Sequence, residues 1–331
     1  VAAKSEAMEA DEAAVALNKR FGPGSAYFLG SYQGERLPTI PFGLPSLDAA
    51  LGGGAPKGRI VEIYGPEASG KTTLLLHLIR EAMRIGGKCA FVDAEHALSV
   101  DLVENMGIDL NKLMFSQPDS GEQGLDVAIA LAKSGAFDVI GVDSVAALVP
   151  QAELDGEMDD QQMGLQARML GKGIRKIAGA ASKTDTCVVF INQLRMKIGV
   201  MFGNPETTPG GKALGFWASQ RIDVRAYKQM KEGKRVIGRE GWITVAKNKI
   251  AAPYRKIETR LLYGQGFDAG FDRFNFGVET GAIRKKGNTY SVVTSKGAFK
   301  LGVGKDAAQQ KLRESKLGRK KLRLALKKSV G

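Results

Sequence analysis

Four continuous apolar runs punctuate the first two-thirds of the chain: "RIVEIYG" (59–65), "KCAFVDAE" (88–95), "FDVIGVDSV" (137–145) and "TCVVFINQ" (186–193). Between them apolar residues recur at helical spacing, as in "KTTLLLHLIREAMRIGG" (71–87) and "GEQGLDVAIALAKSG" (121–135). Strands apolar on both faces, alternating with helices, predict an α/β fold with a mainly parallel central sheet flanked by helices. From about residue 220 the pattern becomes strand-rich, in "SQRIDVRAY", "EGWITVAKNKI" and "RKIETRLLYG", with "QMKEGKRVIGRE" read as a hairpin between the first two. At the other end, "VAAKSEAMEADEAAVALNKRFG" (1–22) reads as an amphipathic helix and "SAYFLGSY" (25–32) as a short strand. "PTIPFGLPSLDAALGGGAPKGR" (38–59) reads as a loop broken by proline and glycine. Past about 268 the chain turns glycine-rich, with a helix-like stretch, a wing around "AIRKKGNTYSV" and a basic end. These shifts predict an N-terminal helix-strand arm (1–35), a core (36–267) and a small C-terminal α/β domain with a basic tail (268–331). No internal repeat is evident.

Composition narrows the class. With 331 residues, 44% hydrophobic and 25% charged, the chain has the balance of a globular protein with a sizeable core. No apolar run approaches the roughly 18–20 residues of a membrane span. The first 22 residues lack the apolar centre of a secretory signal, and a start at Val1 rather than methionine points to processing or trimming. Only Cys89 and Cys187 are present, each inside an apolar strand; this argues against a disulfide framework and fits a reducing cytoplasm. His77 and His96 are too few for a histidine metal site and read as packed or surface groups. Net charge is +13, of which residues 305–331 supply +8, from ten Lys/Arg against Asp306 and Glu314. That tail suggests a polyanionic partner, or simply a solvated helix end.

Candidate chemistry begins with "GPEASGKT", Gly65–Thr72, which fits G-x-x-x-x-G-K-[ST] between an apolar strand and a helix opening at Lys71. In such a loop (Gly65, Pro66, Glu67, Ala68, Ser69, Gly70) the backbone N–H groups of Ala68 to Thr73 point around phosphate oxygens, helped by the helix N-terminus. Lys71 is placed to reach the β- and γ-phosphates and the Thr72 hydroxyl to ligate Mg²⁺, with Asp143 at the end of "VIGVDSV" as the supporting carboxylate. ATP and Mg²⁺ are therefore the expected cofactors, with Thr72 and Asp143 at the metal. A base for water is expected at Glu95, just past the strand in "FVDAEH", with Asp93 the competing candidate. Gln193 ends the fourth apolar run, where its amide can touch a γ-phosphate. It directly precedes "LRMKIGVMFGNPETTPGG", a basic, apolar and breaker-rich segment with no regular periodicity.

These motifs, in this order, resemble the bacterial RecA recombinases: "EIYGPEASGKTT", "AFVDAEHAL", "VDSVAALVP", "GLQARML", "FINQLRMKIGVMFGNPETTPGG" and "VAKNKIAAP", across roughly 38–267. The resemblance implies a RecA-type core with an N-terminal arm that packs between protomers. It implies a DNA-dependent ATPase of DNA repair and the damage response, forming a homo-oligomeric helical filament on single-stranded DNA and pairing it with homologous double-stranded DNA. Glu95 would be the base and Gln193 the γ-phosphate sensor. Lys247 and Lys249, two apart on a predicted strand and so facing one way, would reach a neighbour's γ-phosphate. Tyr263 and Gly264 match adenine contacts. The first DNA loop would be "LDGEMDDQQMG" (154–164), with Met163 and Gly164. After it come Gly171 and Arg168 with Arg175, seven apart and nearly on one helix face, which a solvated face would also explain. The second loop would use Arg195, Met196, Lys197, Ile198 and Gly199, then Gly210, Gly211 and Lys212. In it Arg195 and Lys197 meet phosphates and Ile198 or a neighbour wedges between bases, while Met201 and Phe202 serve there or at a subunit interface.

Departures from the family pattern are Ser99 and Leu102, where an aspartate and a tyrosine usually contact adenine, and a basic rather than acidic end. They describe a divergent member, phage-encoded or from an unusual bacterium. Two other classes share the phosphate loop. A hexameric helicase or translocase has no reason to carry the Gln193 loop or the paired lysines. A regulatory DNA-binding paralogue without strand exchange has no reason to retain Lys71, Glu95, Asp143 and Gln193 together.

Overall fold

The computed structural model describes residues 10–28, 37–157, 164–196, 205–295 and 297–330, with side chains through 326. It forms two compact units, Val1–Pro38 and Thr39–Gly331. In the first, helix Ala10–Phe21 opens with Asp11 and Glu12 and closes with Lys19 and Arg20, the polarity a helix dipole favours. The Asn18 side chain holds the chain's return, donating to Ala26 O at 2.7 Å and accepting from Ala26 N at 3.1 Å. Residues 25–28 are not a strand, because this turn bends them back; the remainder of the expected strand at 25–32 lies outside the described residues.

The second unit is built on one sheet of nine described strands. Its order is Gly266–Phe267, Lys256–Leu262, Arg235–Asn248, Gln220–Glu232, Ile60–Gly65, Cys187–Gln193, Val139–Asp143, Cys89–Asp93 and Leu113–Ser116. The six strands from Gln220–Glu232 onward are parallel; the other three join antiparallel. Side chains alternate between two cores. Val61, Ile63, Val189 and Ile191 pack with helix Lys71–Arg84, while Ile60, Val188, Phe190 and Ile140 pack with helices Gly121–Ser134 and Leu165–Thr184.

Three local expectations change. The segment 38–59 is not a plain loop: Pro45 opens a helix, Pro45–Leu51, that Gly52 ends in the left-handed region at φ 82°. Its strands Thr39–Ile40 and Ala55–Pro56 pair antiparallel. The expected hairpin at 229–240 is the tip of a much longer one, Gln220–Glu232 against Arg235–Asn248. The basic end is folded rather than a charged tail. Helices Lys305–Glu314 and Lys316–Val330 pack onto a three-stranded sheet of Ile283–Lys286, Thr289–Thr294 and Gly297–Val303, burying Ala308, Leu312 and Leu322 beside Phe274 and Val292. No helix among the described residues is long and apolar enough to cross a membrane.

Candidate active site

Parallel strands deliver their C-terminal ends to one edge of the sheet, and four of them bring the predicted chemistry together there. Gly65 lies in register with Gln193, and Asp93 with Asp143. Gly65 allows the close strand approach: a Cβ would fall 2.1 Å from Val224 O. The loop then turns through left-handed Ala68 (φ 53°) and Gly70 (φ 96°) before the helix opens at Lys71. The N–H groups from Glu67 to Thr73 donate to no described residue, and the buried Ser69 hydroxyl has no partner. Such a set of unsatisfied donors at a helix N-terminus is an anion cradle, and these residues fit nucleotide phosphates.

Glu67 to Thr73, Glu95, Asp143, Gln193, Leu261 and Tyr263 line a cavity of about 340 Å³. Lys71 Nζ donates to Pro66 O at 2.7 Å and Thr72 Oγ1 to Asp143 Oδ2 at 2.6 Å. Burial pushes the Lys71 ammonium below its ordinary value, against the pull of Asp143, Glu95 and Glu67. Burial also raises the Asp143 carboxyl to about 6, against the Thr72 hydrogen bond, with Glu95 and Asp93 adding to the rise. The Asp143 carbonyl accepts from Ala94 N (2.7 Å) and Glu95 N (3.2 Å), so this residue fixes both the helix start and the acidic loop.

Glu95 Oε1 accepts from the Ser144 hydroxyl and, at 3.0 Å, from Gln193 Nε2. Asp93 faces the other way: its oxygens accept from Ala97 N at 3.3 Å, Leu98 N at 3.2 Å and Gln117 Nε2 at 3.2 Å. Geometry therefore puts Glu95 on the cavity and Asp93 in the loop's own support. His77 is a packed histidine. Buried, it accepts from Phe267 N at 2.9 Å, and burial with Arg80 pushes its pKa down to about 3. The Ser99 hydroxyl caps a helix, accepting from Leu102 N at 3.3 Å. Gly264 follows the cavity residue Tyr263 with φ 72° but does not itself line the space.

Lys247 and Lys249 do not line this cavity. The strand ends at Asn248, so strand alternation does not carry to exposed Lys249. Lys247 Nζ donates to Gly215 O (2.8 Å) and Phe216 O (3.1 Å).

Beyond Gln193 the chain enters a short antiparallel pair, Arg195–Met196 with Glu206–Thr207, whose Arg195 and Met196 are exposed. Lys197, Ile198, Gly199, Met201, Phe202 and, in the first loop, Met163 lie outside the described residues. The return through Gly210 (φ 83°) and Gly211 (φ 76°) presses on the other loop's helix. A Cβ on Gly210 would sit 2.5 Å from Leu170 Cδ1, and one on Gly211 3.2 Å from Ala167 Cβ. Exposed Lys212 precedes helix Ala213–Trp217. Gly164 starts helix Leu165–Thr184 with φ 79°, and Arg168 and Arg175 are exposed on it. Gly171 meets only Ala213, whereas Gly173 packs where a Cβ would be 2.8 Å from Leu125 Cδ1.

The motifs above assign no role to Glu62 or Arg221, both central to this region. Glu62, fully buried, pairs with Arg221 Nε at 2.5 Å and with Asn192 Nδ2 at 3.1 Å. A lone acid inside "RIVEIYG" was the available signal, because a buried carboxylate requires partners.

A phosphate loop, a strand-end acid, a cavity carboxylate and a strand-end amide on one parallel-sheet edge define an ATPase core of the recombinase class. The sequence model for the RecA N-terminal domain matches residues 8–268. The chain is 48% identical over 307 residues to Protein RecA of Bacillus subtilis, covering 92% of this chain and 87% of that one. It is 47% identical over 316 residues to Protein RecA of Staphylococcus aureus, covering 95% and 90%. The crystal structure of the RadB recombinase is similar at a TM-score of 0.52 and 25% identity, covering 69% of this chain and 98% of that one. The chain belongs to the RecA family.

Proposed function

We propose that this chain hydrolyses ATP in the cavity around Lys71 while assembled as a filament on single-stranded DNA, and that it pairs that strand with a homologous duplex. It is an ATP-dependent DNA recombinase and a DNA-dependent ATPase. The observation that carries the site reading is the Gln193–Glu95 hydrogen bond at 3.0 Å, one residue from the exposed pair Arg195–Met196. One strand end thus touches both the hydrolytic pocket and the second DNA loop.

In this reading the free N–H groups of Glu67–Thr73 and Lys71 bind the phosphates. Thr72 and Asp143 would hold Mg²⁺, which would supply charge neutralisation on the phosphates. Glu95, held by Ser144 and Gln193, orients and accepts a proton from water. Tyr263 stacks on the base. Arg168, Arg175, Arg195 and Lys212 meet DNA phosphates, and Lys247 and Lys249 serve the pocket of the adjoining protomer in a cytoplasmic filament.

Phosphate release measured with and without single-stranded DNA tests the core of this reading. Hydrolysis should rise strongly with DNA. Indifference to DNA, or closed rings in electron micrographs with ATP and DNA, overturns it.

A further inference from the structure

Buried polar groups persist in a core only where something holds them, and the sheet face beside the sensor strand carries a line of them. Asn192, fully buried, uses every polar atom it has. Its Oδ1 accepts from Gln193 N at 3.0 Å, and its Nδ2 donates to Glu62 Oε1 at 3.1 Å and to Pro209 O at 3.3 Å. Pro209 is the residue before Gly210, where the second loop returns. Glu62 is anchored in turn by Arg221, whose guanidinium lies 4.7 Å from the centre of the Tyr64 ring. Across the same loop base, Arg225 grips Glu206 through two bonds of 2.7 Å each. Both ends of the second loop are therefore fastened to the sheet. Asn192 alone among these residues bonds to the loop's outgoing side, through Gln193, and its returning side, through Pro209.

We infer that Asn192 is a positioning residue, held by Glu62, that makes the Gln193 backbone N–H and the Pro209 carbonyl move as one body. This rests on the ATPase reading of the pocket and extends it. A displacement of the Gln193 backbone then carries the loop return with it, because the Asn192 carboxamide joins the Gln193 N–H to the Pro209 carbonyl.

The test uses the full chain with Asn192→Ala and, as the milder change, Glu62→Gln, each checked for folding by its melting curve. Three quantities are read: affinity for a fluorescent ATP analogue without DNA, the salt slope of single-stranded DNA binding, and maximal DNA-stimulated hydrolysis. For Asn192→Ala, stimulation should fall about tenfold, the usual scale of coupling between two sites. Nucleotide affinity and the salt slope should hold, since Asn192 is fully buried and does not line the cavity. Glu62→Gln should lower stimulation in the same selective way but less. Wild-type stimulation in both variants overturns the proposal, as does a parallel fall in all three quantities. A native chain that shows no stimulation would instead refute the ATPase reading, so the two failures are distinguishable.

Discussion

Replacing Glu95 by glutamine separates chemistry from geometry at this site. The Glu95 Oε1 atom accepts from Ser144 and from Gln193 Nε2. A glutamine carbonyl in the same place accepts both, so the pocket keeps its shape. Each bond loses its charge assistance, a static cost of about 1 kcal/mol apiece and less where solvent reaches the pair. What disappears entirely is the ability to take a proton from water. General-base catalysis contributes roughly 10²–10⁴-fold, which at about 1.4 kcal/mol per factor of ten is ~3–5 kcal/mol of barrier. The barrier effect therefore exceeds the static one. Steady-state phosphate release with ATP and single-stranded DNA should drop by two to four orders of magnitude (about 10²–10⁴). DNA binding by fluorescence anisotropy in ATP should persist, with slower decay. Asp93→Asn is the comparator: three donors converge on that carboxylate from the supporting loop, so it should lower melting temperature more than turnover. Undiminished turnover in Glu95→Gln, or a greater loss of turnover in Asp93→Asn, would refute the assignment.

Arg168→Ala should weaken single-stranded DNA binding and flatten its logarithmic salt dependence by about 0.7, one released counterion; an unchanged slope would make Arg168 an ordinary surface charge. Asp272 supplies a pH test. Burial raises its carboxyl from 3.8 to about 6, its Oδ2 accepts from Ser46 N at 3.1 Å, and its Oδ1 is buried without a described partner. The native state thus keeps a proton that the unfolded chain releases, so stability falls as pH rises from near 4 to about 6 and stays lowered above, by up to ~3 kcal/mol. Asp272→Asn should raise the melting temperature at pH 8 while leaving it nearly unchanged at pH 4; a variant with equal shifts at both would contradict this.

The parallel core was legible because its strands are apolar on both faces and the helices between them keep strict spacing. The phosphate loop was legible because its fixed positions answer to local backbone geometry. Leu113–Ser116 escaped notice: an edge strand with exposed Met114 and Phe115 follows neither the buried nor the alternating pattern. The helix at Pro45–Leu51 was obscured by the prolines and glycines around it, although Pro45 and Gly52 are its start and stop signals. In the basic end, charge drew attention from Leu312 and Leu322, whose partners lie on a sheet of their own. Glu62 and Arg221 pair across 159 positions: the lone acid in an apolar run signals that a partner is needed, but no local pattern says which.

Lys247 gives the assembly reading an energetic side. In the single protomer two of its three N–H donors are engaged by the carbonyls of Gly215 and Phe216, and burial, with Lys249 and Arg221, pushes it below its ordinary value. To serve a neighbour it has one N–H left, and any larger movement trades those carbonyls for the new partner. Joining would then be partly an exchange of bonds, so this lysine would add less to an interface than an unengaged ammonium. The same exchange would accompany every joining event, so it lowers the net gain of each protomer contact alike.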